Sequence, residues 1–323
     1  MLVLHLGMPK TGTSVAQQCL ATYAREDGAR IDYTSIGRDA LVAHHPLAQE
    51  LLTEGAVSPT RRILLDRLQE PGTRPIIVSS ERFTNLLGRR HLHILLDFLL
   101  ACRTHDKIRC VLAIREMASY RESMHLQMGR FGKCTTTIEA HIASGIRGAV
   151  GFFGNIGKLR SRLGQDLWCP MVTDGFDSVS QIERAAGVEP DTLGKYRGRV
   201  RSTVRYPLKA QTVLLHLDEI AQKTGLVLNR RRLLRALARG VRFEDDTADY
   251  TIIPPALADA MSRVALAAAK RSGLQDYVDS FGGKRGKRPP YHSLDIATLS
   301  QRDIERAVSL ARPTGRREDH RAA

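Results

Sequence analysis

The sequence is poor in aromatic residues and in paired cysteines, and it has no long apolar run. Aromatic residues make up 5% of the 323 positions, which argues mildly against a surface that stacks bases or flat sugar rings. The five cysteines are odd in number and include no Cys-x-x-Cys pair. Neither a disulfide framework nor a zinc knuckle is therefore expected, and a reducing compartment fits best. Because no stretch of 18 apolar residues occurs, we expect no membrane span.

Acidic residues are also in the minority. The chain has 49 lysines and arginines against 34 aspartates and glutamates, a formal net charge of +15. Such an excess attracts anions, which include nucleotides, sulfated or phosphorylated sugars, nucleic acid and anionic membranes. The charge does not choose among these partners, and a solvated surface with a basic tail explains it as well. The opening run MLVLHLG is too short for a signal peptide, so we expect a cytoplasmic protein.

Short apolar runs alternate along the first half of the chain with segments whose apolar residues recur at helical spacing. The predicted strands are 2–6, 30–37, 75–79, 108–114 and 168–172. The predicted helices among them are 14–26, 60–69, 89–103 and 117–130. This alternation predicts an α/β fold with a central, mostly parallel sheet that is covered on both faces.

From about residue 205 the chain changes character. Three further helices are indicated around 214–221, 233–237 and 257–268. We therefore predict a helical C-terminal extension over residues 201–311, packed on a core that residues 1–200 form. The last residues, 312–323, are polar and basic, and we expect them to be disordered.

The segment GMPKTGTS at residues 7–14 lies between the first predicted strand and the first predicted helix. It matches the phosphate-binding pattern GxxxxGK[ST] at both glycines and at the final serine, but Thr13 stands where lysine is usual and Lys10 comes three positions earlier. In such a loop several backbone N–H groups converge at a helix N-terminus, where the helix dipole favours an anion. Gly7 and Gly12 let the backbone approach closely, and Lys10 adds a mobile positive charge. Three hydroxyl groups add hydrogen-bond donors: Thr11, Thr13 and Ser14.

The longer segment HLGMPKTGTSVAQQ resembles the 5′-phosphosulfate loop of sulfotransferases that use 3′-phosphoadenosine-5′-phosphosulfate (PAPS), whose usual form is close to PKTGTTxLQ. The resemblance extends over residues 1 to about 190. It implies a P-loop-type, three-layer α/β/α fold, with PAPS as co-substrate and the desulfated bisphosphate PAP as product. No metal is expected, because the sequence shows no cluster of metal ligands and the leaving group is already a good one. It also implies that Lys10 is catalytic, because it would neutralise charge on the leaving phosphate. The residues that would bind the 5′-phosphosulfate are Pro9, Lys10, Thr11, Gly12, Thr13 and Ser14.

Two further sites follow from the same resemblance. The family holds the 3′-phosphate of its ligand with an arginine at a strand end and a serine eight residues later, and these positions match Arg115 and Ser123. Eight helical residues span about 12 Å, so this pair meets only if the intervening turn folds back. The family places a proton acceptor just past its third strand, and here that position is Glu81. Glu81 could instead cap a helix or pair with Arg82 or Arg115, and other candidate bases remain: His44, His45 and His125.

The C-terminal half offers one weaker match. Members that modify heparan-type glycans close a Lys-Gly-Arg loop over the adenosine, and KRGKRPPY at 284–291 is similar, with Arg285 and Gly286 as candidate ligands. The order of residues departs from the family's pattern, and a basic linker explains the segment equally well.

The glutamate at position 81 resembles the glycan-modifying branch, which implies a hydroxyl on a carbohydrate or glycolipid as acceptor. A small hydrophobic alcohol or phenol stays open as the acceptor. Residues 201–311 would then shape the acceptor pocket, and no obligatory nucleic acid is implied. Two alternatives are a P-loop nucleotide kinase or hydrolase, and a non-catalytic protein that binds nucleotides or nucleic acid. The first needs a metal-holding aspartate after an apolar strand, which no predicted strand has, and the second is opposed by basic residues that are spread along the chain.

Overall fold

The protein is described by a computed structural model, which covers residues 1–40, 42–72, 74–88, 90–134, 136–173, 176–199, 206–282 and 289–313. Its strands are β1 (Leu2–His5), β2 (Asp32–Tyr33), β3 (Ile76–Ser79), β4 (Ile108–Val111), β5 (Ile114–Arg115), β6 (Leu167–Trp168) and β7 (Met171–Val172). Five of them form a parallel sheet in the order β2-β3-β1-β4-β6, and β5 pairs with β7, also in parallel. The predicted α/β class with a mostly parallel central sheet is confirmed.

Helices account for most of the remaining described chain. They are α1 (Thr13–Tyr23), α2 (His45–Glu54), α3 (Pro59–Gln69), α4 (Leu92–His105), α5 (Met117–Arg130), α6 (Ile138–Leu163), α7 (Ser178–Ala186), α8 (Leu208–Leu215), α9 (Leu217–Thr224), α10 (Arg230–Ala238), α11 (Pro255–Arg271), α12 (Gln275–Gly282) and α13 (Gln301–Ala311). Short 3-10 helices cover Gly55–Val57, Glu81–Leu87, Gly164–Asp166, Gly194–Arg199 and Ile296–Thr298. Among the described residues, no helix is both long enough and apolar enough to cross a bilayer.

Proline divides one edge of the sheet. The predicted strand 108–114 is two strands, β4 and β5, and the predicted strand 168–172 is likewise β6 and β7. Pro170 stands between β6 and β7 and has no N–H to donate, so the regular ladder is interrupted there. Single backbone bonds still bridge the gap, from Leu112 N to the Trp168 carbonyl at 2.9 Å and from Ile114 N to the Pro170 carbonyl at 2.9 Å.

The chain forms two compact units. The first comprises residues 1–120, 145–203 and 260–285, and the second comprises residues 121–144, 204–259 and 286–323, as far as these ranges are described. The parallel sheet belongs to the first unit, where Val3, Ile77 and Val111 share one core cluster with apolar residues of α1 and α7. The second unit has a core of its own that α8, α9, α10 and α13 build.

The predicted domain boundaries are not decided by this division. The first unit includes residues 260–282, which belong to the predicted C-terminal extension. The roles assigned to residues 1–200 and 201–311 stay a prediction. The predicted disordered tail lies outside the described residues from position 314 onward.

Helix α6 carries exposed glycines whose removal is expected to stabilise the fold. A Cβ added at Gly148, Gly151 or Gly154 would meet no atom within 4 Å, and glycine inside a helix costs about 0.5–1 kcal/mol relative to alanine. The triple variant with alanine at these positions should therefore raise the free energy of unfolding by about 1.5–3 kcal/mol, measured by urea denaturation.

Gly157 on the same helix gives the matched control for that measurement. A Cβ at Gly157 would lie 3.1 Å from the Cβ of Ser272 and 3.3 Å from its carbonyl oxygen, so Gly157→Ala should lose the gain through steric crowding. Equal stabilisation at all four positions would show that this packing is not tight. If alanine at the three open positions did not raise the free energy of unfolding, the backbone entropy of glycine would not be what destabilises α6 there.

Candidate functional site

The loop after β1 has the backbone shape that an anion-binding turn requires. All of β1 is buried. Its pairing with the neighbouring strand β4 continues past the end of β1, where Leu6 N donates to the Val111 carbonyl at 2.8 Å. The backbone is left-handed at Lys10, with φ of 69°, and at Gly12, with φ of 79°. Gly12 is the N-cap of α1, which begins at Thr13. The chain therefore turns directly into a helix N-terminus, whose first N–H groups have no acceptor within the helix.

The threonine hydroxyls brace this loop from inside. The Thr11 hydroxyl donates to the Met8 carbonyl at 2.7 Å, and the Thr11 and Thr13 hydroxyl oxygens are 3.3 Å apart. Because the Thr11 proton goes to Met8, Thr13 is the donor of that second contact. Both threonines are buried, whereas Gly12 and Ser14 are exposed. Of the predicted hydroxyl donors, Ser14 is thus the one placed at the surface, and the two threonines support the shape of the loop.

Arg115 anchors the middle of the loop. It ends β5, as the sequence predicted for a strand-end arginine, and its Nη1 donates to the Lys10 carbonyl at 2.8 Å. This bond holds the strained Lys10 backbone in place. Ser123 lies on α5, in the range that belongs to the second unit, so its predicted pairing with Arg115 stays a prediction.

Glu81 follows β3 and Ser80, and its carboxylate is held from two sides. Gln17 Nε2 donates to Oε2 at 3.4 Å, and His45 Nε2 lies 3.5 Å from Oε1. Its side chain is 27% exposed. The capping role belongs to Ser80, whose hydroxyl oxygen accepts the Arg82 N–H at 3.1 Å. Among the described residues, the basic side chain that contacts Glu81 is His45.

The three other candidate bases have different surroundings. His44 is fully buried, with Nε2 3.0 Å from the Thr34 carbonyl and Nδ1 accepting the Ser79 N–H at 3.1 Å. Burial lowers the pKa of His44 to about 4, so it is a neutral structural residue at neutral pH. His125 is buried beside Cys134 in the second unit, and burial also lowers its pKa. His45 is the candidate that contacts Glu81, and its Nδ1 lies 2.7 Å from the Ser80 hydroxyl.

Sequence reasoning missed a buried polar cluster below the loop. His5 Nδ1 lies 2.9 Å from the Ser79 hydroxyl, and Gln17 Nε2 donates to the same hydroxyl at 3.3 Å. These side chains come from β1, β3 and α1, and all three are buried. A signal was present, because His5 is a polar residue inside the apolar run LVLHL.

The remaining predicted ligands cannot be placed. Arg285 and Gly286 lie outside the described residues. In the part of the chain that the structure covers, no group of three or more His, Cys, Asp or Glu side chains is arranged to hold a metal ion. Comparison with known proteins found no matching family model, no matching curated protein and no matching solved structure. The geometry and the sequence motifs therefore carry the functional argument.

Proposed function

We propose that this protein is a PAPS-dependent sulfotransferase that moves the sulfuryl group to an acceptor hydroxyl on a carbohydrate or glycolipid. The observation that carries the proposal is the loop Gly7–Ser14, which turns from the central strand β1 into α1 and has Glu81 connected to it through Gln17. The carboxyl edge of a parallel sheet, next to a helix N-terminus, is where nucleotide phosphates bind in such folds. A P-loop-type, three-layer architecture is part of this proposal.

The loop suits the 5′-phosphosulfate group of PAPS. The exposed positions Gly12 and Ser14 begin α1, where backbone N–H groups and the helix dipole favour an anion. Position 13, where a kinase has the lysine that follows the β- and γ-phosphates, is a buried threonine that contacts Thr11. A ligand with one phosphate-sized group beyond the nucleoside phosphate fits this arrangement better than a triphosphate. Arg115 and Ser123 are proposed for the 3′-phosphate.

In the reaction the acceptor oxygen attacks sulfur while the bond from sulfur to the bridging oxygen breaks. Glu81 takes the acceptor's proton, and the electron pair of the broken bond stays on the 5′-phosphate of PAP. Lys10 neutralises the charge that develops on that oxygen, a contribution of about 3–4 kcal/mol by comparison with other single electrostatic donors. Gln17 and His45 hold the carboxylate of Glu81 in position.

The proposal is tested by a thermal-shift titration with PAP, AMP and ATP·Mg²⁺. A ligand that binds only the native state adds about 2.7 kcal/mol at a hundred times its Kd, which should raise Tm by several degrees. We expect a shift with PAP and a much smaller one with AMP, because AMP lacks the 3′-phosphate. A shift with ATP·Mg²⁺ alone would favour a nucleotide kinase or hydrolase, and no shift at all would favour a non-catalytic protein.

A further inference from the structure

His5 is a buried histidine whose role the proposed reaction does not explain. It is the last residue of β1 and is 1% exposed, and the loop Gly7–Ser14 starts two residues later. Its hydrogen bond among the described residues joins Nδ1 to the Ser79 hydroxyl at 2.9 Å. Both ring nitrogens of a buried imidazole normally have a hydrogen-bond partner. The group that Nε2 contacts when the protein is at work is therefore to be identified.

The surrounding contacts are compatible with a proton on Nε2. The Ser79 hydroxyl oxygen accepts from Gln17 Nε2 at 3.3 Å, and an amide NH₂ group only donates. A hydroxyl has one proton and two acceptor lone pairs, so Ser79 can donate to His5 Nδ1 while it accepts from Gln17. Burial lowers the pKa of His5 to about 4, so the ring is neutral at pH 7. A neutral ring that accepts at Nδ1 carries its proton on Nε2.

The Nε2 atom lies beside Gly7, at the start of the loop. A Cβ built on Gly7 would lie 2.9 Å from His5 Nε2 and 3.1 Å from the Thr13 hydroxyl oxygen. Gly7 opens the loop and Thr13 begins α1, so the imidazole edge reaches between the two ends of the loop. A side chain at position 7 would block that edge, which gives a steric reason for glycine there.

The geometry points to His5 as a further ligand-binding residue, whose Nε2–H donates a hydrogen bond to an oxygen of the anion held in the loop Gly7–Ser14. This inference rests on the proposed function in that the anion is the 5′-phosphate or phosphosulfate group. His5 would donate a directed hydrogen bond without adding charge. It would contact the anion from the end of β1, whereas Lys10 contacts it from the loop and the backbone N–H groups contact it from the start of α1. In this tautomer the ring accepts from the Ser79 hydroxyl, and Gln17, which donates to the same hydroxyl, also contacts Glu81.

Two amide variants separate a binding role from a structural one. In His5→Gln the side-chain NH₂ group reaches about as far as Nε2, whereas in His5→Asn it reaches only about as far as Nδ1. PAP and inorganic sulfate are titrated calorimetrically into the wild type and both variants at pH 7.5, and the Tm of each protein is recorded. We expect His5→Asn to bind PAP about ten- to a hundredfold more weakly, the effect of one lost hydrogen bond to a charged group. His5→Gln should keep affinity within about fivefold of the wild type, a smaller loss than that bond.

The opposite ranking, in which Asn restores both Tm and affinity and Gln does not, would show that His5 only supports Ser79. Long-range ¹H–¹⁵N spectra of the wild type add a test that needs no variant: the resonances should report the Nε2–H form, and the Nε2 signal should move on addition of PAP. An Nδ1–H ring, or an Nε2 signal that PAP leaves unmoved, overturns the inference while PAP binding itself keeps the proposed function. A wild type that binds neither PAP nor sulfate overturns both.

Discussion

Replacing Lys10 with alanine is expected to lower turnover by about a hundred- to a thousandfold, the effect of removing one electrostatic donor to a transition state. PAP affinity should fall much less, because a partly exposed ion pair contributes about 1 kcal/mol or less to binding. The backbone should survive the change, since alanine is as strained as lysine at φ of 69° and the carbonyl that Arg115 holds is unchanged.

The measurement is the steady-state rate of PAPS-dependent sulfation at saturating PAPS, together with calorimetric titration of PAP. Lys10→Arg keeps the positive charge and should retain part of the rate. Lys158→Ala, at an exposed position of α6, gives a matched control that should keep full activity. If Lys10→Ala abolished PAP binding but left turnover unchanged at saturation, Lys10 would be a binding residue and its transition-state role would be wrong.

Two helices are predicted closely from the sequence. The predicted helices 117–130 and 60–69 agree with α5 and α3 to within one residue. Apolar spacing alone does not predict the extent of helix α6, because glycine recurs at every third position from 145 to 157 and weakens the helical signal. The predicted strand 30–37 pairs only over Asp32–Tyr33, because pairing depends on the neighbouring strand β3 and not on local propensity.

The candidate site divides in the same way. The loop and Glu81 were predictable, since each follows an apolar strand directly in the chain. Their partners were not, because Gln17 and Glu81 meet only once α1 packs beside β3. The pair His44 and His45 shows the limit most clearly: adjacent histidines have no distinguishing pattern, yet one is fully buried against backbone groups and the other contacts Glu81.

Acidification from pH 6.5 to pH 4 is expected to destabilise the protein strongly through His44 and His5. Burial lowers the pKa of each to about 4, from 6.5 in the unfolded chain. The unfolded state therefore binds protons over this range while the folded state does not, so stability is fully present above pH 6.5 and is lost as the pH falls toward 4. The loss amounts to about 3 kcal/mol for each histidine. For His44 the geometry acts in the same direction, because its Nδ1 accepts the Ser79 N–H and a proton there would face that donor.

Urea denaturation of the wild type and of His44→Gln at half-unit steps from pH 4 to pH 8 measures this effect. The variant will be less stable at pH 8, since it loses the bonds of His44 to Thr34 and Ser79, so the slopes are compared rather than the absolute values. Between pH 6 and pH 4.5 the slope for the variant should be smaller by about 1 kcal/mol per pH unit, the share of one proton. Equal slopes would mean that His44 takes up its proton in the folded state as well. In that case the buried ring would have to break its bonds to the backbone of Thr34 and Ser79 at acidic pH. The contact by which His44 supports the end of β3, just before Ser80 and Glu81, would then itself depend on pH.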